Sequence, residues 1–355
     1  MKISSAKVTG KNNLGRNRDC QDKIATFVSP YLSAIAIADG ASNGENSREG
    51  AEVNVITWQE FIEDSMSWDM DYIRLREALI DKINMKLDKM PYEKPHLSAT
   101  LTAVAVRNDG SVRAISIGDG FLIGFDRNLE PHVLKYPYNV GRSTLTCFTC
   151  LPDKAKETGQ VLVTTLDGCL TKPAEVLTGF AVFSDGAGYL VSSLLKGGEM
   201  LRLLAAHTAC GEEDYAENLV KQISEQYSND DVSIACMMSD QKDVLATARR
   251  IIEDAVPAET PEEAPAPAET APAPPEEPGT PEEETVPDFE KLYPYYRPVV
   301  QALYQNPMSY EELEQTGYCL PGKVMDMLLP LIQNRFVELR EGKFCLSKEF
   351  LSSEL

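Results

Sequence analysis

The stretch Leu32-Ser-Ala-Ile-Ala-Ile-Ala-Asp39-Gly40-Ala-Ser-Asn-Gly-Glu-Asn46-Ser47-Arg-Glu49-Gly-Ala-Glu52 decides the fold. Leu32 to Ala38 is an apolar run too short for a helix and reads as a buried strand. It stops at Asp39-Gly40, and a small polar loop follows. Asn46 then stands where a helix cap belongs, with Glu49 three residues on to close a capping box. A carboxylate at the end of a buried strand is costly unless something compensates its charge, and a metal ion is one such compensator.

Working outward, residues 3 to 8 alternate loosely and predict a first strand. Gly10 to Gln21 is a polar loop rich in Asn, Gly and Arg, and Lys23 to Val28 is a second strand. After the central loop, Ala51, Val55, Trp58 and Ile62 share one helical face. A second helix is expected from about Asp71 to Met90, with Tyr72, Leu75, Leu79 and Ile83 inward. Thr100 to Val106 and Val112 to Ile117 flank Asn108-Asp-Gly110, a hairpin turn signature. Phe121 to Phe125, Val161 to Leu166 and Phe180 to Phe183 extend the strand series. Helices are expected over Glu199 to Thr208 and Tyr215 to Tyr227, then a strand over Val232 to Met238 and a closing helix over Asp243 to Asp254. Hairpin-paired strands with helices in pairs predict an antiparallel α+β layered fold rather than βαβ repeats.

The net charge of -21 is unevenly spread: 11 acids and no bases lie between Asp254 and Asp288, against -8 for residues 1 to 253 and -2 for Phe289 to the end. The folded parts are therefore only mildly acidic, and nothing forms a basic footprint for nucleic acid. No apolar run approaches membrane-spanning length and the N-terminus lacks a signal pattern, so a cytoplasmic, non-membrane protein is expected. The 8 cysteines are scattered. In a reducing compartment they read as small buried residues, Cys147-Phe-Thr-Cys150 included, since a lone CxxC with three histidines (His96, His132, His207) makes a weak zinc motif.

Pro257 to Pro287 holds 10 of the 22 prolines, mixed with Glu, Ala and Thr. It cannot bury enough surface to offset ordering entropy and reads as an extended tether. The chain thus divides into a catalytic-size domain at 1–254, a disordered linker at 255–287 and a small domain at 288–355. In the last, helices around Tyr293 to Tyr304, Ser309 to Thr316 and Leu320 to Asn334 precede a hairpin across Glu341-Gly342, the order of a winged helix. Its third helix carries only Lys323 as a base, against Asp326, so nucleic-acid binding is not expected and protein docking is.

Carboxylates recur at five places in one local context. Asp22 follows the polar loop, Asp39 ends a buried strand, Asp119 lies in Gly-Asp-Gly, Asp185 lies in Ser-Asp-Gly, and Asp230-Asp231 precedes the last strand. Each Asp-Gly alone is a turn dipeptide. Together they form an oxygen-only donor set suited to hard cations such as Mg²⁺ or Mn²⁺. Two such ions are a known solution for in-line attack on phosphorus.

The series Cys20-Gln-Asp22, Ala38-Asp39-Gly40, Ser98-Ala-Thr100-Leu101, Gly118-Asp119-Gly120, Ser184-Asp185-Gly186 and Asp230-Asp231-Val-Ser233 resembles the ordered motifs of the metal-dependent protein phosphatase family, the protein phosphatase 2C class, in its divergent bacterial branch. The resemblance covers roughly residues 1 to 240. It implies a sandwich of two antiparallel sheets flanked by helices, and a Ser/Thr protein phosphatase using two, or with a weaker site three, Mg²⁺ or Mn²⁺ ions. By resemblance, Asp39 bridges two metals with the Gly40 carbonyl on one of them. Asp185 and Asp230 hold the other, Asp22 acts through water, and Asp119 serves a third ion. No protein nucleophile is implied, because a metal-activated water attacks.

Departures from the pattern bear on substrate. The family often places Arg or His before the Asp22 motif to hold phosphate. Here that position is Asn13 or Asn17, so the contact passes to Arg16 or Arg18, or is lost. Ala41 stands where eukaryotic members carry a histidine. Asp231 makes the choice of Asp230 a question of register, and Asp167-Gly168 rivals Asp185. The expected partner is a phosphorylated protein, such as a cognate kinase or its targets. A second reading, prompted by the missing anchor, is a pseudophosphatase that binds phosphoprotein without hydrolysing it.

Overall fold

The computed structural model describes residues 1–135, 146–169, 176–192, 196–255, 297–309, 312–313, 328, 337–340 and 343–346. The chain divides into two compact units, Met1–Ile252 and Glu253–Leu355. Among the described residues of the first, the strands are β1 (Lys2–Val8), β2 (Lys23–Val28), β3 (Leu32–Ala38), β4 (Leu101–Arg107), β5 (Ser111–Ile117), β6 (Phe121–Phe125), β7 (Pro131–Lys135), β8 (Gln160–Thr165), β9 (Gly179–Phe183) and β10 (Val232–Met238). The helices are α1 (Lys11–Leu14), α2 (Ser47–Glu63), α3 (Tyr72–Leu87), α4 (Pro152–Thr158), α5 (Tyr189–Ser192), α6 (Lys196–Cys210), α7 (Asp214–Gln226) and α8 (Lys242–Ala255). One sheet runs β1-β10-β9-β6-β7 and the other β2-β3-β4-β5-β8. Every pairing in both is antiparallel.

Continuous apolar strands usually mark parallel sheets covered on both faces. Here the central strands are antiparallel and still covered twice. On β3, Ile35 and Ile37 enter a core between the two sheets with Val104, Phe180, Val182 and Met237. Ala34, Ala36 and Ala38 face the other way, into a core shared with Trp58 of α2 and Leu75 and Leu79 of α3. On the second sheet, Phe183, Ile234 and Cys236 pack with Leu204 of α6 and Leu219 and Ile223 of α7. The layering is therefore helix, sheet, sheet, helix. β7, α4 and α5 are additions to the sequence reading, and α1 forms inside the loop expected at 10–21.

Local details separate from expectation at two helix starts. Asp71 caps α3, its Oδ1 accepting from the N–H groups of Ile73 and Arg74 at 2.9 Å each. Tyr72 opens that helix and is exposed, so the buried face begins at Leu75. At α2, Asn46 makes no side-chain cap bond. Its N–H, which Glu49 would have had to satisfy, already donates to the His96 carbonyl at 3.1 Å. The Ser47 hydroxyl turns away to Gln21 Oε1 (3.2 Å) and the Gly44 carbonyl (3.3 Å).

In the second unit, α9 (Arg297–Gln305) and an antiparallel pair, β11 (Val337–Arg340) and β12 (Lys343–Leu346), are described. Met308 and Phe344 exchange backbone hydrogen bonds. Ser309 and Glu312 form a reciprocal capping box, at 2.7 and 3.2 Å. The expected linker and most of the helix expected over Leu320 to Asn334 lie outside the described residues. No helix among the described residues is long and apolar enough to cross a membrane.

Because the cap bonds exist at α3 and not at α2, Asp71→Ala should cost about 1 kcal/mol of stability, whereas Asn46→Ala should cost no more than a few tenths. Urea denaturation of the two variants checks the difference.

Candidate metal centre

The sheet registers gather the carboxylates at one end of the sandwich. Lys23 pairs with Ala38, so Asp22 and Asp39 adjoin. Leu101 pairs with Ile117, placing Thr100 beside the turn that carries Asp119. Phe183 pairs with both Phe121 and Ile234, which sets the Asp119, Asp185 and Asp230 turns together. As a result, carboxylate oxygens of Asp39, Asp119 and Asp185 all lie within 4.8 Å of one another.

Each carboxylate has its own support. Thr100 grips the Asp39 backbone from both sides: its Oγ1 accepts from the Asp39 N–H (3.0 Å) and its own N–H donates to the Asp39 carbonyl (2.8 Å). The buried Asn54 of α2 in turn donates to the Thr100 carbonyl at 2.9 Å, and its Oδ1 accepts from Thr149 at 3.0 Å. Gly40 has no room for a side chain, since a Cβ there would meet the Ser47 backbone at 2.8 Å. Gly118 turns the chain into Asp119 at φ +105°, a conformation that suits glycine. Thr146 donates to Asp119 Oδ2.

Asp230 and Asp231 separate cleanly. Asp231 is buried and accepts three hydrogen bonds, from Gly10 N–H (2.7 Å), Asn13 Nδ2 (2.9 Å) and Gln21 N–H (2.6 Å). It ties the 10–21 loop to β10. Asp230 is half-buried and its Oδ1 accepts only a local bond, from Asp231 N–H at 2.9 Å. Asp167 is exposed in the turn after β8, with Oδ1 accepting from Thr165 at 2.5 Å. Thr165 pairs with Ser111, so Asp167 sits at the opposite end of β5 from Asp119.

The electrostatics are those of an uncompensated acid cluster. Asp22 is fully buried, and neither of its carboxylate oxygens has a hydrogen-bond partner. Burial pushes its carboxyl up to about 6. Asp39 is raised well above the usual range by burial and then by the charges of Asp22 and Asp185. Although Asp185 as a residue is exposed, desolvation of its carboxyl and then the charges of Asp119, Asp230 and Asp22 push it up to about 7. Asp230 is raised by burial and by Asp231 and Asp119. An orphaned buried carboxylate beside three converging ones fits hard divalent cations held by oxygen. Cys20 is no competing ligand: burial and the charges of Asp22 and Asp231 push its thiol up to about 12.

Around the rim, Arg16 is exposed, and its charge offsets part of the rise at Asp230. Arg18 is engaged with the Ser42 carbonyl at 3.0 Å. Asn13 is committed to Asp231, and Asn17 is exposed at φ +55°. Cys147 and Cys150 are buried in the core beneath α2 and α3. Asn54 and Thr146 are contributors the sequence reading omitted. Asn54 could have been noticed as a polar residue on the apolar face of Ala51, Val55 and Trp58. Thr146 carries no local signal.

A family profile described as protein phosphatase 2C matches residues 9–225, more than half of the chain. The matched span takes in Asp22, Asp39, Asp119 and Asp185 and stops short of Asp230. No curated protein matches the chain. Among solved structures, the serine/threonine phosphatase Stp1 from Staphylococcus aureus is 14% identical, the match covering 67% of this chain and 95% of that one at a TM-score of 0.47. The PPM Ser-Thr phosphatase MsPP from Mycobacterium smegmatis, solved with cacodylate, is 17% identical over 67% of this chain and 98% of that one, at 0.44. A C. elegans sex determining protein is 16% identical over 69% and 67%, at 0.48.

The raised carboxyls predict an inverted pH response. A carboxyl whose folded pKa exceeds its unfolded value gives stability below about pH 4 that is lost as pH rises through about 6 to 7. In chelator, the melting temperature of the wild type should therefore fall relative to Asp39→Asn across that window. Millimolar Mg²⁺ at pH 7 should restore it.

Proposed function

The chain belongs to the protein phosphatase 2C family, and on that premise we propose that it hydrolyses phosphoserine or phosphothreonine in proteins with two Mg²⁺ or Mn²⁺ ions, a third binding more weakly. The observation that carries this reading is the convergence of Asp39, Asp119 and Asp185 beside the orphaned carboxylate of Asp22. When bound, the ions would supply charge neutralisation and a water acidic enough to serve as nucleophile at neutral pH.

The chain's own residues take distinct parts. Asp39 would help hold both ions, and the Gly40 carbonyl one of them. Asp185 and Asp230 would complete the second position, and Asp22, buried behind Asp39, would act through water. Asp119, oriented by Thr146, would serve the third ion. Arg16 is the proposed phosphate contact, because Arg18 is spent on Ser42 and Asn13 on Asp231. Asp231 and Thr100 hold the loops on which these groups sit. The terminal unit, proposed to resemble a winged helix on a tether, would dock a protein partner and raise its local concentration.

The commitment of Asn13 to Asp231 supports a second reading, in which the fold binds a phosphoprotein without turning it over. Hydrolysis of para-nitrophenyl phosphate and of a phosphothreonine peptide with Mn²⁺, with and without chelator, separates the two. Chelator-sensitive turnover is expected. Asp39→Asn and Asp185→Asn should each reduce it at least about a hundredfold, as loss of a charged group acting on the transition state does, while Asp167→Asn leaves it unchanged. Metal binding without turnover would favour the binding module.

Arg16→Ala should raise KM for the peptide about tenfold with a smaller change in kcat, the loss expected for a ground-state ionic contact. An unchanged KM would remove Arg16 from the phosphate site.

A further inference from the structure

The Asp185 and Asp230 turns are joined on their inner side by backbone. The Ser184 hydroxyl accepts from the Ser233 N–H at 3.0 Å. A Cβ on Gly186 would collide with the Asp231 carbonyl, so the two main chains are in contact there. On the other flank the turns are joined by a pair of rings. Tyr189 opens α5, four residues after Asp185 and directly after the Gly188 N–H bonded to the Asp185 carbonyl at 2.8 Å. Tyr227 ends α7, its N–H donating to the Ile223 carbonyl at 2.8 Å, three residues before Asp230. The two rings stack with centroids 3.6 Å apart and planes 5° from parallel.

This stack is not core packing. Tyr227 is 39% exposed and Tyr189 is half-buried. Side-chain hydrogen bonding with Tyr189, in which the Tyr227 phenol keeps its proton, also raises that phenol. Among the described residues α5 runs from Tyr189 to Ser192, with Leu190 and Val191 buried in the core of the second sheet. It follows directly on the Asp185 turn, so a restraint on Tyr189 is also a restraint on that turn. The carboxylates on the two turns repel each other, so each makes the other costlier to ionise and to hold close.

We propose that Tyr189 and Tyr227 form an aromatic clasp that holds the Asp185 and Asp230 turns at the spacing a divalent ion needs, acting as positioning residues of the metal centre. The proposal rests on the reading that Asp185 and Asp230 hold metal. It assigns the rings no contact with substrate or ion. Their effect is to pre-order two ligands that would otherwise have to be brought together when the ion binds.

Calorimetric titration of the full chain with Mn²⁺ tests it, comparing wild type, Tyr227→Phe, Tyr227→Leu and Tyr189→Leu. Phe keeps the flat face and removes the hydroxyl, and Leu keeps apolar bulk and removes the stack. Loss of an aromatic pair should weaken Mn²⁺ binding about five- to tenfold in either Leu variant, with Phe within about twofold of wild type. Turnover of the Leu variants should recover at saturating Mn²⁺. Leu variants that bind Mn²⁺ like wild type, or whose lost turnover saturating Mn²⁺ does not restore, overturn the clasp. A wild type that takes up no Mn²⁺ overturns the underlying functional reading instead.

Discussion

Like charges crowded into one end of a sandwich set the terms for this structure. Asp22, Asp39, Asp119, Asp185 and Asp230 come from five separate turns, and burial and mutual repulsion raise four of them. Carboxylates left to themselves would open such a rim. Supports behind the cluster keep it closed: Thr100 on the Asp39 backbone, Asn54 behind Thr100, Asp231 across the 10–21 loop, and Thr146 on Asp119. The division of labour between Asp230 and Asp231 illustrates this. Two adjacent residues of the same chemistry face different surroundings. One accepts three N–H bonds and ties the 10–21 loop to β10, and on the other only a local bond is made to Oδ1.

That arrangement depends on the sandwich being stiff. The strands that deliver Asp39, Asp185 and Asp230 are the central ones, covered by helices on one face and by the opposite sheet on the other. Interiors packed this way yield little when local charge pushes on them. A carboxylate mounted on the end of such a strand keeps its place, whereas the same group on a long loop would relax away. The energetic strain of the site is thereby passed to the cores, where burial of Trp58, Phe180 and Phe183 offsets it.

Much of this was legible in the chain. Runs such as Leu32 to Ala38 and Val232 to Met238 announce twice-covered strands, and the Asp residues that follow or precede them announce the rim. Asp185 is preferred over Asp167 because Ser184-Asp185-Gly186 is the closer match to the family motif, and the register puts Asp167 at the far end of β5 from Asp119. Long-range partners were not legible. Asn46 looked like a cap until the His96 carbonyl, fifty residues away, claimed its N–H. Thr146 gave no local sign of its bond to Asp119. Asn13 looked like a vacancy in a phosphate site, and its amide is in fact held by a residue more than two hundred positions later. Periodicity reports which face a residue takes, and these roles depend on which distant group arrives there.

The alternation of alanine and isoleucine along β3 has a consequence of its own. In a half-exposed strand, polarity tells one face from the other and so fixes the register. β3 has no polar face to use. Its two sides differ in volume: alanines let α2 approach closely, and isoleucines fill the gap between the sheets. A slip of one residue would drive isoleucines into Trp58 and leave voids opposite Phe180. It would also carry Asp39 about 3.3 Å along the strand and onto the other face. Side-chain size, read in steps of two, thus serves as the ruler by which this chain measures where to put its charge.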